Sequence, residues 1–159
     1  MCMTLNMRWW KIASTLWLLL LTLCSPAGTP DLLIHTHTGV YSFKVATATS
    51  EDTQLTGLHG WKSLAADEGM LFIFQKMTQR PFWMKHISIP LDILFIDSSG
   101  RIVDIIQHAK AGGETPLVAG SPFLAALEVN SGTVARMAIR RGDHVYHPLI
   151  QSSADALPR

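Results

Sequence analysis

The sequence predicts a mainly β fold with short helices, of the α+β class: a single compact domain whose strands form a partly closed antiparallel barrel or sandwich. Three observations lead there. The block Gly69–Ile106 holds several apolar runs of strand length split by short turns, and strands this close in sequence must pair into one sheet. Tyr41, Phe43 and Val45 alternate along one face of another run. Helix signals, by contrast, are confined to two short stretches near 51–58 and 132–139.

Taken in order, residues 28–31 (Gly-Thr-Pro-Asp) are a linker. Leu32–Thr36 and Val40–Ala46 flank Gly39 and read as a hairpin. Ser50–Leu58 is a short helix capped by Ser50, with Glu51 and Asp52 in the first turn, where the helix dipole favours negative charge. Gly57 breaks it, and Trp61–Asp67 is an irregular connection. Gly69–Phe74 and Pro81–Lys85 are strands, and Ile93–Ile96, apolar on both faces, suits a central one. Asp97-Ser98-Ser99-Gly100 is a tight turn, from which Arg101–His108 returns as a partner strand. Lys110–Pro122, with Gly112, Gly113, Pro116 and Gly120, is a loop long enough to form a lid or rim. Leu124–Val129 is a further strand. Ser131 caps a helix over Gly132–Ile139, whose end carries Arg140 and Arg141 and stops at Gly142. His144–His147 is the last strand.

The ends set the compartment. Arg8 and Lys11 precede the twelve-residue apolar run Ile12–Leu23, and Ser25-Pro26-Ala27 places small residues where a signal peptidase reads. A bilayer span needs about 18 to 20 apolar residues, so a cleaved leader is expected rather than an anchor. The chain then divides into a signal peptide at 1–27, the linker at 28–31, one domain at 32–150 and a polar tail at 151–159. The expected location is the periplasm or the extracellular space. Leu21-Thr22-Leu23-Cys24 faintly resembles a lipoprotein box, but Leu23 stands where a small residue belongs. Membrane attachment is expected only through an uncleaved or lipidated N-terminus.

Cleavage leaves 132 of the 159 residues, one ordinary domain. It removes Arg8 and Lys11, taking the basic count from 13 to 11 against 12 acids. So neutral a chain gives no reason to expect nucleic acid as a partner. Cys2 and Cys24 both lie in the leader, so the mature domain has no disulfide, thiol nucleophile or thiolate metal site. No cofactor motif occurs: there is no phosphate loop and no dinucleotide fingerprint. A monomer is expected.

Seven segments occur in a telling order: Thr56-Gly57-Leu58, Gly69-Met70-Leu71-Phe72, Trp83-Met84-Lys85, Ile89-Pro90-Leu91-Asp92-Ile93-Leu94-Phe95-Ile96-Asp97, Gly100-Arg101-Ile102-Val103, Leu127-Glu128 and Gly142-Asp143. Together they resemble the family known as domain of unknown function 192, or uncharacterised protein family 0127, over roughly residues 32–147. The resemblance implies a small, mostly antiparallel β fold with a couple of short helices, often exported in bacteria, and no established activity. Two departures stand out. His59 follows Gly57-Leu58 where the family usually has Met, and His86-Ile87 follows Trp83-Met84-Lys85 where it usually has Asn-Thr.

The best polar and aromatic group is Trp83, Lys85, His86 and Asp92, with Ser121 on the Gly/Pro-rich loop. On a strand, Trp83 and Lys85 would share one face and Met84 and His86 the other. A Trp platform beside a cation and a carboxylate suits a saccharide or a carboxylated small molecule, by stacking and charge-assisted hydrogen bonds. Against this stands a structural reading, in which Lys85 pairs with Asp92 at a sheet end and Trp83 fills the core. His35 and His37 have the i, i+2 spacing of a metal clip, but two ligands do not make a site; His144 and His147 fare no better, and no metal is expected. Ser121 lacks the Gly-x-Ser-x-Gly context of a nucleophile elbow, and Glu68 with Asp92 is only one of many possible carboxylate pairs. Met77 and Met84 read as core filler before soft-metal ligands.

Three function classes follow: a non-catalytic small-ligand-binding or accessory domain of the cell envelope, a hydrolase on an envelope or sugar-like substrate, and a structural partner of another envelope protein. The first leads, because a rim is legible and no catalytic set assembles.

Overall fold

The computed structural model describes residues 31–150. The expected leader with its two cysteines, all but the last residue of the linker, and the polar tail lie outside them. The described chain forms one seven-stranded sheet with the order β5-β4-β6-β3-β2-β1-β7. β1 is Leu32–Thr36, β2 Gly39–Ala48, β3 Glu68–Thr78, β4 Leu91–Ile96, β5 Ile102–Ala109, β6 Phe123–Asn130 and β7 His144–Tyr146. The sheet curls into a half-barrel, and its two outer strands meet at one end. Arg101 bridges His144 there, and Val145 N–H donates to the Gly100 carbonyl at 2.7 Å. The expected partly closed barrel is therefore what forms.

The expected hairpin is β1–β2, paired from Leu32 opposite Phe43 to Thr36 opposite Gly39. All pairings are antiparallel except β2–β3, which is parallel. This one exception has a chain-length reason. Thr49–Asp67 joins the two strands, long enough for the crossover that parallel neighbours require, and it carries the helix α1, Glu51–Thr56. Ser50 caps α1 in a capping box with Thr53, and Gly57 ends it, as the residues predict.

Both faces of the central strands are covered, which explains why β3 and β4 read as continuous apolar runs. On one face Met70, Phe72, Phe74, Ile93, Phe95 and Ala126 pack beneath the connections around Leu58, Leu64, Met84, Ile87 and Ala119. On the other, Leu71, Ile73, Leu94, Ile96, Leu127 and Val129 pack inside the curl against Leu32, Ile34, Val134 and Val145.

Two expectations require correction. Pro81–Lys85 is not a strand. β3 continues to Thr78, and afterwards only Phe82 pairs, with Leu117, through two backbone hydrogen bonds of 2.8 Å. His86 takes a left-handed φ of 64°, which no strand tolerates. The alternation assumed for Trp83 to His86 therefore fails, since Met84 is buried while Trp83, Lys85 and His86 are all exposed. The second helix, α2, is Thr133–Arg136, shorter than expected, and Ser131 does not cap it. The Ser131 hydroxyl instead bonds the His108 ring at 2.8 Å.

Candidate functional site

A cavity of about 380 Å³ lies where α1 and the irregular segment 80–87 cover the sheet. Its floor is the sheet face carrying Phe72 and Phe74 of β3 and Glu128 of β6. α1 and its exit form one wall, with Gln54, Leu55, Gly57, Leu58 and His59; Arg80, Phe82, Trp83, Lys85 and His86 form the other.

Local chemistry holds each wall in place. Gln54 anchors α1 by donating its amide to the Ile73 carbonyl at 2.7 Å. Gly57 adopts φ 48°, and a Cβ there would touch the Phe72 ring at 3.4 Å, so only glycine closes this wall without strain. Phe82 pins the other wall, with its ring edge-on to Phe72 at 5.5 Å and to Phe95 at 5.6 Å. Arg80 lies 5.5 Å over the Phe74 ring and donates to Gln54 Oε1 at 3.2 Å, which joins the two walls. His59 and His86, from opposite walls, stack with ring centroids 5.5 Å apart and planes 28° apart.

Glu128 has the most unusual environment of the described residues. It is 5 % exposed, sits in the middle of the sheet between Met70 of β3 and Ile93 of β4, and its carboxyl accepts or donates no hydrogen bond among the described residues. No fully enclosed side-chain oxygen among those residues lacks a partner, so this carboxyl opens onto the cavity rather than into packed core. Burial raises its pKa from 4.5 to about 8, so it is mostly protonated at neutral pH. β3 presses closely on this point: a Cβ at Gly69 would lie 2.8 Å from the Glu128 carbonyl oxygen. Although Glu128 is the sole acid in the run Phe123–Val129, sequence reasoning passed over it as a site residue. A lone acid within an otherwise apolar strand is the signal that marks it. Arg80 and Phe82 carried no comparable signal.

Of the residues singled out from sequence, Trp83, Lys85 and His86 line this cavity; Asp92 and Ser121 do not. Asp92 is fully buried on the opposite face of the sheet. Its Oδ1 accepts the His108 N–H at 2.9 Å and its Oδ2 the Val134 N–H at 3.0 Å. The first bond fills the register shift between β4 and β5, and the second supplies α2 with the cap that Ser131 does not give. A Lys85–Asp92 ion pair does not form: the ion pairs among the described residues are Lys44–Asp67 and Arg141–Asp104. Glu68, the other half of the suggested carboxylate pair, accepts from the Ala65 N–H at 3.0 Å. Ser121 is half-buried on its loop, beside Gly120, whose N–H is held by Asp104.

No group of three or more His, Cys, Asp or Glu among the described residues is placed to hold a metal ion. His35 packs on Tyr146 at 4.5 Å. The cavity thus combines aromatic walls, four basic or imidazole side chains and one buried, neutral carboxyl, which is equipment for holding a small molecule through stacking, charge and one directed hydrogen bond.

Crystal structures of similar proteins share this fold. One, a "putative transcription regulator" from Sinorhizobium meliloti, is 33% identical, with a TM-score of 0.70 over 72% of this chain and 90% of its own. Another, a protein of unknown function from Novosphingobium aromaticivorans, is 34% identical, with a TM-score of 0.71 over 76% of this chain and 89% of its own. No curated protein matches the chain. The model of the family DUF192, described as "Uncharacterized ACR", matches residues 33–147, nearly the whole described domain. The chain belongs to this family.

Proposed function

We propose that this protein is an exported, non-catalytic domain of the cell envelope that binds a small molecule in the cavity between α1 and segment 80–87. The observation that carries the reading is the Glu128 carboxyl, buried at the floor of an aromatic cavity with no partner among the described residues. A buried polar group costs stability unless something satisfies it, and a ligand atom in the cavity would do so. The charged leader, its apolar run and Ser25-Pro26-Ala27 support export.

Thermal-shift screening of the purified protein against metals, sugars and small acids tests the binding half. A ligand that binds only the folded state raises the melting temperature, and Trp83→Ala should weaken that shift. If no compound in a broad screen shifts the transition, the reading falls. N-terminal sequencing tests the export half: the exported protein should begin at Gly28, and an intact leader on a cytoplasmic product would overturn it.

The hydrolase alternative draws on the same carboxyl. A protonated Glu128 has the raised pKa of a general acid. Neither serine nor cysteine lines the cavity, however, and the one hydroxyl that does, Thr56, donates to the Asp52 carbonyl at 2.8 Å with no base bonded to it among the described residues, so attack by water is the form such a reaction would take. Turnover abolished by Glu128→Gln with binding retained would establish it. The description of the Sinorhizobium neighbour as a regulator suits a sensing domain as well as a carrier; the near-neutral charge of this chain argues against direct contact with nucleic acid.

A further inference from the structure

We propose that the cavity takes a small organic anion with a flat, apolar body: the anionic head meets Lys85 and Arg80 at the rim, the body lies among Phe74, Phe82 and Trp83, and an uncharged acceptor such as a carbonyl takes a hydrogen bond from Glu128. The proposal rests on the small-ligand reading above and names the chemistry of its ligand.

Three independent features converge on it. The first is charge. Arg80, Lys85, His59 and His86 all line the cavity, while Glu128 is the only acid that does. None of the four is neutralised by an acid among the described residues, where the ion pairs lie elsewhere. Lys85 has no hydrogen-bond partner there, and the Arg80 guanidinium bonds only the neutral Gln54 amide. Lys85 and Arg80 thus give the rim a positive charge that no acid offsets, which attracts anions and repels cations.

The second is shape. The rings of Phe72, Phe74 and Phe82 line the cavity, and Trp83, 52 % exposed, stands at its edge, where it can lie over a ligand as it enters. Aromatic walls favour a flat or apolar body over a hydrated sugar edge, and about 380 Å³ is at the small end of the range for ligand sites.

The third is the floor. A carboxyl that keeps its proton offers one O–H to an acceptor, and an uncharged carbonyl needs that O–H. An amine at the same place would pull the proton off and make an ion pair, but it would have to pass the cationic rim. Charge at the mouth and neutrality at the floor therefore select an anion with a neutral acceptor at its far end.

The probe is 4-acetylbenzoate, which has the head, ring and carbonyl. Three analogues accompany it: 4-isopropylbenzoate lacks the carbonyl, methyl 4-acetylbenzoate lacks the charge, and 4-acetylbenzylamine reverses it. Calorimetric titration of the full-length protein at about pH 7 should show 4-acetylbenzoate binding about tenfold or more tightly than each analogue. Lys85→Met should weaken it about threefold to tenfold. Raising the pH to about 9.5 should weaken it about tenfold, because ionised Glu128 both loses its O–H and repels the anion.

Arg80, Lys85, His59 and His86 face the same cavity, while Met70 and Ile93, which flank Glu128, carry no charge. The same pH series on Glu128→Gln separates their contribution, since the Gln amide still donates but cannot ionise. That variant should bind at about pH 7 and lose much less at about pH 9.5. Preference for the amine, equal binding of the isopropyl analogue, tighter binding at high pH, or no binding by the panel would each overturn the proposal. A ligand from the broader screen that is a cation or a neutral sugar would overturn it while leaving the small-ligand reading standing.

Discussion

Two buried acids sit on neighbouring strands and face opposite ways. Asp92 on β4 points into the curl of the half-barrel, where two backbone N–H groups take its two oxygens. Glu128 on β6, opposite Ile93, points to the other face, where no group of the described residues bonds its carboxyl. The strands, the burial and the chemical type are nearly the same, but the partners are not. A buried charge or polar group that the fold satisfies holds the fold together. One left unsatisfied beside a cavity is the better place to look for function.

Asp92→Ala strands two N–H groups, one in the β4–β5 bulge and one at the start of α2, and should cost about 3–5 kcal/mol. Urea unfolding measures it, and a loss below about 1 kcal/mol would remove Asp92 from its structural role.

Glu128→Gln should act in the opposite sense, and the pH decides how strongly. The folded state keeps the Glu128 proton up to about pH 8, whereas the unfolded chain releases it near 4.5. Between these values the folded state binds more protons, so this residue makes stability fall as pH rises, by at most about 1.4 kcal/mol per unit. Gln, which cannot ionise, escapes the fall. The variant should match the wild type below about pH 4.5 and exceed it by about 5 kcal/mol above pH 8. Parallel curves for the two proteins across the range would mean that Glu128 is not held neutral.

Phe82 separates the two faces further. Phe82→Ala removes the ring that pins segment 80–87 over the sheet and should cost about 2–3 kcal/mol. It should also admit water to Glu128 and lower its pKa toward the ordinary carboxylate range, while the Asp92 hydrogen bonds persist. NMR titration of the Glu128 side-chain carboxyl reads the first effect, and hydrogen exchange at the His108 and Val134 amides the second.

The smallest expected effect tests the geometry most directly. Lys85 lines the cavity on one face and Asp92 is buried on the other, so Lys85→Met should change stability by less than about 0.5 kcal/mol. A double-mutant cycle with Asp92→Asn should show coupling of no more than about 0.5 kcal/mol. Larger coupling would place the two side chains in contact and erase the distinction between the faces.

Much of this architecture was legible in the residues. Alternation at Tyr41, Phe43 and Val45, Ser50 before two acids, and Gly100 in the Asp97 turn gave the hairpin, α1 and the β4–β5 return, because turn chemistry and capping act within a few residues of sequence. The ordered segments gave the family, and Trp83, Lys85 and His86 were recognised as one group, although for the wrong local reason: they gather on an irregular wall held by Phe82, not on a strand.

Sequence alone determined where the β1–β2 hairpin, the apolar central strands, the Asp97 turn and the start of α1 lie, since these follow from side-chain periodicity and local backbone preference. Only the tertiary structure decided that β2 and β3 run parallel, that Asp92 caps α2 from across the sheet, and that Glu128 is left without a partner among the described residues. The physical reason is the period of a strand. It tells which residues share a face, but in runs such as Leu91–Ile96 and Phe123–Val129, apolar on both sides, it cannot tell which face meets a packed core and which meets a cavity. That depends on what long-range connections lay over the sheet, and here α1 and segment 80–87 leave the open space above Glu128.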